Sequence, residues 1–203
     1  PQFSDNPSVS TSEGFESDND PNGTTATPLT SAIFSNVTDI GPLRGVLTAT
    51  YANGYKRGAR IRRNSNLKIY NSIFMDNATR GLYIDGSACE TNANSGGLVF
   101  KNNILAGYGQ RAMETGTFNI ISPSANVWVK NNANDTLTSS AGILVNPYSY
   151  TSPDYRPSAT SVALSNASFT DAALAAVSGT ASTQVAATIP STFCIDATHP
   201  ATF

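Results

Sequence analysis

Apolar residues over most of this chain recur in short alternating runs that lack the 3.6-residue stripe of an amphipathic helix. Four runs align on an asparagine: Ala32–Thr38, Leu67–Ile73, Leu98–Ile104 and Val127–Ala133. Their asparagines, Asn36, Asn71, Asn102 and Asn131, bound the intervals 36–71, 71–102 and 102–131, of 35, 31 and 29 residues. The period is near thirty. A second column of runs comprises Gly14–Asp18, Gly58–Arg62, Gly81–Asp85, Ala112–Gly116 and Gly142–Asn146. Each opens on a small residue. Phe15, Ala59, Leu82, Met113 and Ile143 then alternate with Glu16, Arg60, Tyr83, Glu114 and Leu144, the period of two that turns one face inward and the other outward.

Short strands at this interval, with no helical crossover between them, predict an all-β fold: a right-handed parallel β-helix, or solenoid, with coils of about thirty residues. Equivalent positions of successive coils would lie about 4.8 Å apart and favour similar side chains. An inward asparagine at each bend can satisfy backbone groups there and meet its counterpart in the next coil, so Asn36, Asn71, Asn102 and Asn131 are expected to form a structural ladder. The coils are expected over residues 1–150. Residues 151–203 would form a C-terminal cap and tail of the same domain, with Ser152–Pro157 as extended loop and Asp171–Val177 as a short helix capped by Ser168 or Thr170. The sequence opens on Pro1-Gln2-Phe3, already loop-like, which suggests that N-terminal coils are missing.

Charged residues make up only 13% and the formal net charge is -2, so the basic footprint that nucleic acid requires is not expected. No apolar run approaches the roughly 20 residues of a transmembrane segment. The abundance of Asn, Ser, Thr, Ala and Gly suits secreted or cell-surface β-structure. Cys89 and Cys194 could form one bridge in an oxidising compartment or remain two separate thiols.

The residues Glu16–Asp20, leading through Thr24–Pro28 into Phe34–Pro42, together with Arg156-Pro157 and Ala163–Phe169, resemble secreted β-helix repeat proteins common in Bacteroidetes. Such proteins are often exported with a separate C-terminal sorting domain. The resemblance covers roughly Phe3 to Asp171 and implies fold and location rather than activity. The tail with Cys194 and the lone His199 departs from that pattern and does not read as a sorting domain.

Four sets of residues carry candidate chemistry. Asp18-Asn19-Asp20-Pro21-Asn22-Gly23 matches the opening half of a calcium loop, with Asp18, Asp20 and Asn22 as oxygen donors; its twelfth position is Leu29, so a full EF-hand is excluded and only a looser Ca²⁺ site or a metal-free Asx-rich turn remains. Stacking the second column brings Glu16, Arg60, Tyr83 and Glu114 into one outward row, and Asp18, Arg62 and Asp85 into the next. In an enzyme, Glu16, Asp18, Asp85 and Glu114 would supply acid, base or nucleophile and Arg60 would stabilise charge. The alternative is an exposed strand face that pairs opposite charges. Arg60, Arg62, Tyr83, Tyr108 and Trp128 are candidate ligand-binding residues: the arginines, with Arg63, Lys56 and Arg57, would attract an acidic glycan, and the aromatics, with Tyr55 and Tyr70, could stack on sugars or pack at corners. Five sequons fall at Asn22, Asn36, Asn77, Asn134 and Asn166. No nucleotide or redox cofactor motif occurs. The expected function is therefore an extracellular or cell-surface module, structural or binding a polysaccharide or cell-surface component, without catalysis; the alternative is a polysaccharide-active β-helix lyase or glycoside hydrolase.

Overall fold

The computed structural model describes residues 13–46, 51, 54–116, 120–121 and 124–178. It is strand-rich, with parallel sheets and few helices. Two compact units divide the chain, Pro1–Ala167 and Ser168–Phe203.

In the first unit the period of two has produced three parallel sheets. The first takes β1 (Phe15–Ser17), β4 (Arg57–Arg62), β7 (Arg80–Asp85) and β10 (Arg111–Thr115), in that order. The second takes β2 (Ile33–Ser35), β5 (Lys68–Tyr70) and β8 (Val99–Lys101). The third takes β3 (Thr38–Ile40), β6 (Ile73–Met75), β9 (Ile104–Ala106) and β11 (Asp135–Leu137). Residues aligned in sequence are neighbours in space. Phe15 pairs with Ala59, Ala59 with Leu82 and Leu82 with Met113, and the outward row pairs Glu16 with Arg60, Arg60 with Tyr83 and Tyr83 with Glu114.

Two residues before each strand of the third sheet the chain turns on a residue with positive φ: Asn36 (61°), Asn71 (50°), Asn102 (57°) and Ala133 (55°). Asparagine tolerates this left-handed conformation better than most residues. The side-chain rungs belong to the next residue along. Ser72 Oγ accepts from Val37 N (3.1 Å), Asn103 Oδ1 from Ser72 N (2.9 Å) and Asn134 Oδ1 from Asn103 N (2.8 Å). The expected ladder is thus corrected in part: the buried side-chain rungs lie one position on, while Asn36, Asn71 and Asn102 supply the turns and the backbone rungs, as in Asn71 N to Lys101 O at 3.2 Å, and Asn71 Nδ2 also donates to Ser35 Oγ of the preceding repeat at 3.3 Å.

Asn131 takes no part in it. Val127–Ala133, expected as a strand, lies largely in helix α2 (Ala125–Asn131), whose start is capped by Ser124 Oγ accepting from Val127 N. Trp128 and Val129 drop from that helix into the core, and Asn131 is exposed. The expectation of no helical crossover is corrected again by α1 (Ser87–Ser95) between β7 and β8, which buries Cys89, Glu90 and Ala93 and ends on left-handed Gly96 (φ 79°).

The main core joins inward residues of all three sheets: Ile61, Leu82 and Ile84, then Ile69 and Phe100, then Phe74 and Leu105. Phe74 and Phe100 pack with ring centroids 5.4 Å apart. The glycines opening three of the second-column runs, Gly14, Gly58 and Gly81, have a steric cause: a Cβ on Gly58, for example, would come within 2.7 Å of Gly81 O and of the Phe74 ring. A separate cluster of Ile40, Met75, Ile104, Ala106, Ile143 and Leu144 covers the other side of the third sheet. The Gly142–Asn146 run therefore does not extend the first sheet as expected. Its strand β12 (Leu144–Asn146) pairs antiparallel with β13 (Asp154–Pro157), within the stretch expected as loop.

In the second unit the described structure is helix α3 (Ala172–Ser178). Its cap is Asp171, whose Oδ1 accepts from Ala173 N (3.0 Å), and not Ser168 or Thr170. The tail beyond, with Cys194, His199 and any bridge from Cys89 to Cys194, lies outside the described residues.

Candidate functional site

Alternation sends every second side chain of β1, β4, β7 and β10 outward, and on that face most charges are paired across strands. Arg60 donates to Asp85 from Nε (2.9 Å) and Nη2 (2.6 Å), with Glu16 at 3.8 Å. Arg62 reaches Glu16 and Asp18, each at 2.7 Å, and Arg63 reaches Asp18 at 2.8 Å. Asp18 accordingly strengthens the hold of Arg62 on its proton. Half-exposed pairs of this kind contribute at most about 1 kcal/mol each. Every candidate catalytic residue (Glu16, Asp18, Arg60, Asp85 and Glu114) is engaged in such a pair.

At the start of the strands the period of two lapses, since Gly58 and Ala59, and Gly81 and Leu82, are buried in succession, and the row before them reaches the outer face with a single sign. Arg57, Arg80 and Arg111 occupy the same position on three adjoining strands. Glu13 holds Arg57 and Glu114 holds Arg80, with Arg111 3.6 Å from Glu114. Burial, followed by the charges of Arg57 and Arg111, weakens the hold of Arg80 on its proton. Tyr83 lies among these cations, its ring centroid 4.7 Å from the Arg57 guanidinium and 5.8 Å from that of Arg80. The three arginines line a cleft of about 960 Å³, with Tyr83 and Glu114 on its wall and Gln110, Ser124 and Asn126 among its other lining residues. The sequence contained the signal: an arginine immediately precedes the small residue opening three successive second-column runs, at Arg57-Gly58, Arg80-Gly81 and Arg111-Ala112.

The remaining expected site residues do not join the cleft. Trp128 is only 7% exposed and belongs to the core, so it offers no sugar platform. Tyr108 is half-buried against the same core and Tyr70 is fully buried. In the Asp18–Gly23 loop the side-chain oxygens of Asp18, Asn19 and Asp20 already have protein partners. Asp20 accepts from Asn22 N (2.7 Å), Thr24 N (2.9 Å) and Thr24 Oγ1 (2.7 Å), the pattern of an Asx turn, while Asp18 faces Arg62 and Arg63. The Thr24 hydroxyl in particular lowers the pKa of Asp20. Among the described residues no group of three or more His, Cys, Asp or Glu is placed to hold a metal.

Buried polar residues were not anticipated from sequence. Asp39, on β3, is driven by burial to a pKa of about 6, opposed by the Asn77 Nδ2 donor at 2.8 Å. Asp76 is wholly buried beside a second cavity of about 540 Å³. It accepts from Ser140 Oγ (2.7 Å) and Tyr148 OH (2.5 Å), and burial raises its pKa against those bonds. Glu90 is fully buried and accepts from Ile120 N at 2.7 Å. Burial also pushes the Cys89 thiol up to about 11. Among the described residues no helix is long and apolar enough to cross a membrane. Comparison with protein-family models, with curated proteins and with solved structures finds no match to this chain.

Proposed function

We propose that the chain is a right-handed parallel β-helix acting outside the cell or on its surface as a non-catalytic module that presents the outer face of its first sheet to a polysaccharide or another surface component. The solenoid reading rests on three parallel sheets whose turns repeat 31 residues apart, as between Ser72 and Asn103 and between Asn103 and Asn134. Parallel connections within a sheet favour the right hand. A secreted or surface location follows from the resemblance to exported β-helix repeat proteins.

The observation that carries the non-catalytic reading is the commitment of Glu16, Asp18, Asp85 and Glu114 to guanidinium partners. Glycoside hydrolysis requires two carboxylates flanking the scissile bond. Glu114 is the one carboxylate among the described residues lining the 960 Å³ cleft. A lyase or hydrolase remains the second reading, favoured by the placing of Glu114 beside Tyr83 and Arg111 in that cleft. The test is incubation of the purified chain with acidic and neutral polysaccharides. The module retains a glycan without releasing reducing ends or unsaturated products; release that disappears in Glu114→Gln would establish the enzyme instead.

A further inference from the structure

We propose that the row Arg57, Arg80 and Arg111 is a binding site for a glycan carrying an acid group on successive sugars, lying across the strands of the first sheet. The inference rests on the glycan-presenting reading above and supplies its site and ligand class. The register puts the three arginines on adjoining strands. Adjoining strands lie about 4.8 Å apart, close to the length of one sugar unit, so acid groups on successive sugars match the spacing of the row, with Arg111 as its accessible member and Arg57 and Arg80, 18% and 17% exposed, behind it.

Charge points the same way. Elsewhere on this face opposite signs adjoin, as in Glu16 beside Arg60 and Arg62 beside Asp85. Like charges directly opposite one another across a sheet are unfavourable, so a run of three cations calls for as many negative charges over it. Glu13 and Glu114 supply two negative charges against three positive ones. The side chain of Arg111 is 59% exposed at the rim. A guanidinium fork matches a carboxylate or sulfate through paired, charge-assisted hydrogen bonds. Around the row, exposed Gln110, Ser124 and Asn126 add neutral donors and acceptors suited to sugar hydroxyls.

Titration calorimetry on the full chain tests this with polygalacturonate, chondroitin sulfate and uncharged dextran as probes. At least one acidic polymer should bind more tightly than dextran, and more weakly as salt rises. Comparison of the two acidic polymers distinguishes carboxylate from sulfate as the preferred group. Arg111→Ala should weaken binding by roughly tenfold or more with the circular dichroism spectrum unchanged. Lys68→Ala removes an equal charge from the second sheet and should leave affinity as it is. Unaltered binding by Arg111→Ala, or dextran binding as tight as that of the acidic polymers, overturns the site while the module reading stands. Failure of every polysaccharide to bind removes the glycan reading itself.

Discussion

Asn134 stands to Asn103 as Asn103 stands to Ser72. In each case Oδ1 accepts the backbone N–H of the earlier residue, at 2.8 Å and 2.9 Å, while Nδ2 reaches back to a carbonyl, Phe100 O at 2.8 Å and Ile69 O at 3.1 Å. Each asparagine thereby satisfies one donor and one acceptor on the preceding repeat, at a buried bend where water cannot substitute.

Removing such a side chain strands both backbone groups. Asn103→Ala is expected to cost about 3 kcal/mol in urea denaturation, since a buried polar group left without a partner costs about 1–3 kcal/mol. Asn131→Ala, exposed on α2, should change stability by less than about 0.5 kcal/mol. Equal losses at the two positions would contradict the corrected ladder.

Ala133 occupies a turn that its counterparts fill with asparagine, and its φ of 55° brings Cβ against the backbone. The left-handed conformation costs an alanine roughly 1–2 kcal/mol. Ala133→Gly and Ala133→Asn should each gain about 0.5–1 kcal/mol, the glycine returning part of its relief as chain entropy. Thermal melts that fall for both variants would contradict the strain.

The Asp39 carboxyl supplies a test by pH. Its pKa rises from 3.8 unfolded to about 6 folded, so the folded state holds the proton more tightly. Its favourable contribution is complete below about 4 and is lost as pH rises through about 6. Asp39→Asn, which retains an acceptor for Asn77, should therefore match the wild type near pH 4 and exceed it by roughly 2–3 kcal/mol near pH 8, at about 1.4 kcal/mol per pKa unit. A stability difference independent of pH would refute the shift.

Tyr148→Phe removes a hydrogen-bond donor to Asp76. That bond favours the ionised carboxylate against burial. The loss, roughly 1–3 kcal/mol, should grow between pH 4 and pH 8 as the less well served carboxylate ionises. A penalty that shrinks over this range would assign the tyrosine a packing role alone.

The sheets were legible where one face is apolar and the next residue polar. Phe15, Ala59, Leu82 and Met113 fall into register as the alternation predicts, because a slip of one residue would expose the whole row. The asparagine column was legible only to within one position, since turn and rung are adjacent and Asn102-Asn103 supplies the same residue type for both. Val127-Trp128-Val129-Lys130-Asn131-Asn132 mimics Leu98-Val99-Phe100-Lys101-Asn102-Asn103 residue for residue in character, yet becomes a helix. The Ser124 cap and the burial of the adjacent Trp128 and Val129 decide the matter, and burial is a tertiary effect that spacing does not encode. The same holds for Asp39 and Asp76, whose partners Asn77 and Tyr148 lie 38 and 72 residues away.

Two successive repeats differ in how the chain leaves the first sheet. It passes through residues 63–67 in one repeat and through 86–98, with α1, in the next, yet Val99 still pairs with Lys68. A connection that can grow by a helix without disturbing the pairing it leads to is a natural graft point. Foreign sequence spliced at Ser95-Gly96, where a Cβ on the glycine would meet nothing within 4 Å, should be carried as a passenger by the stacked strands.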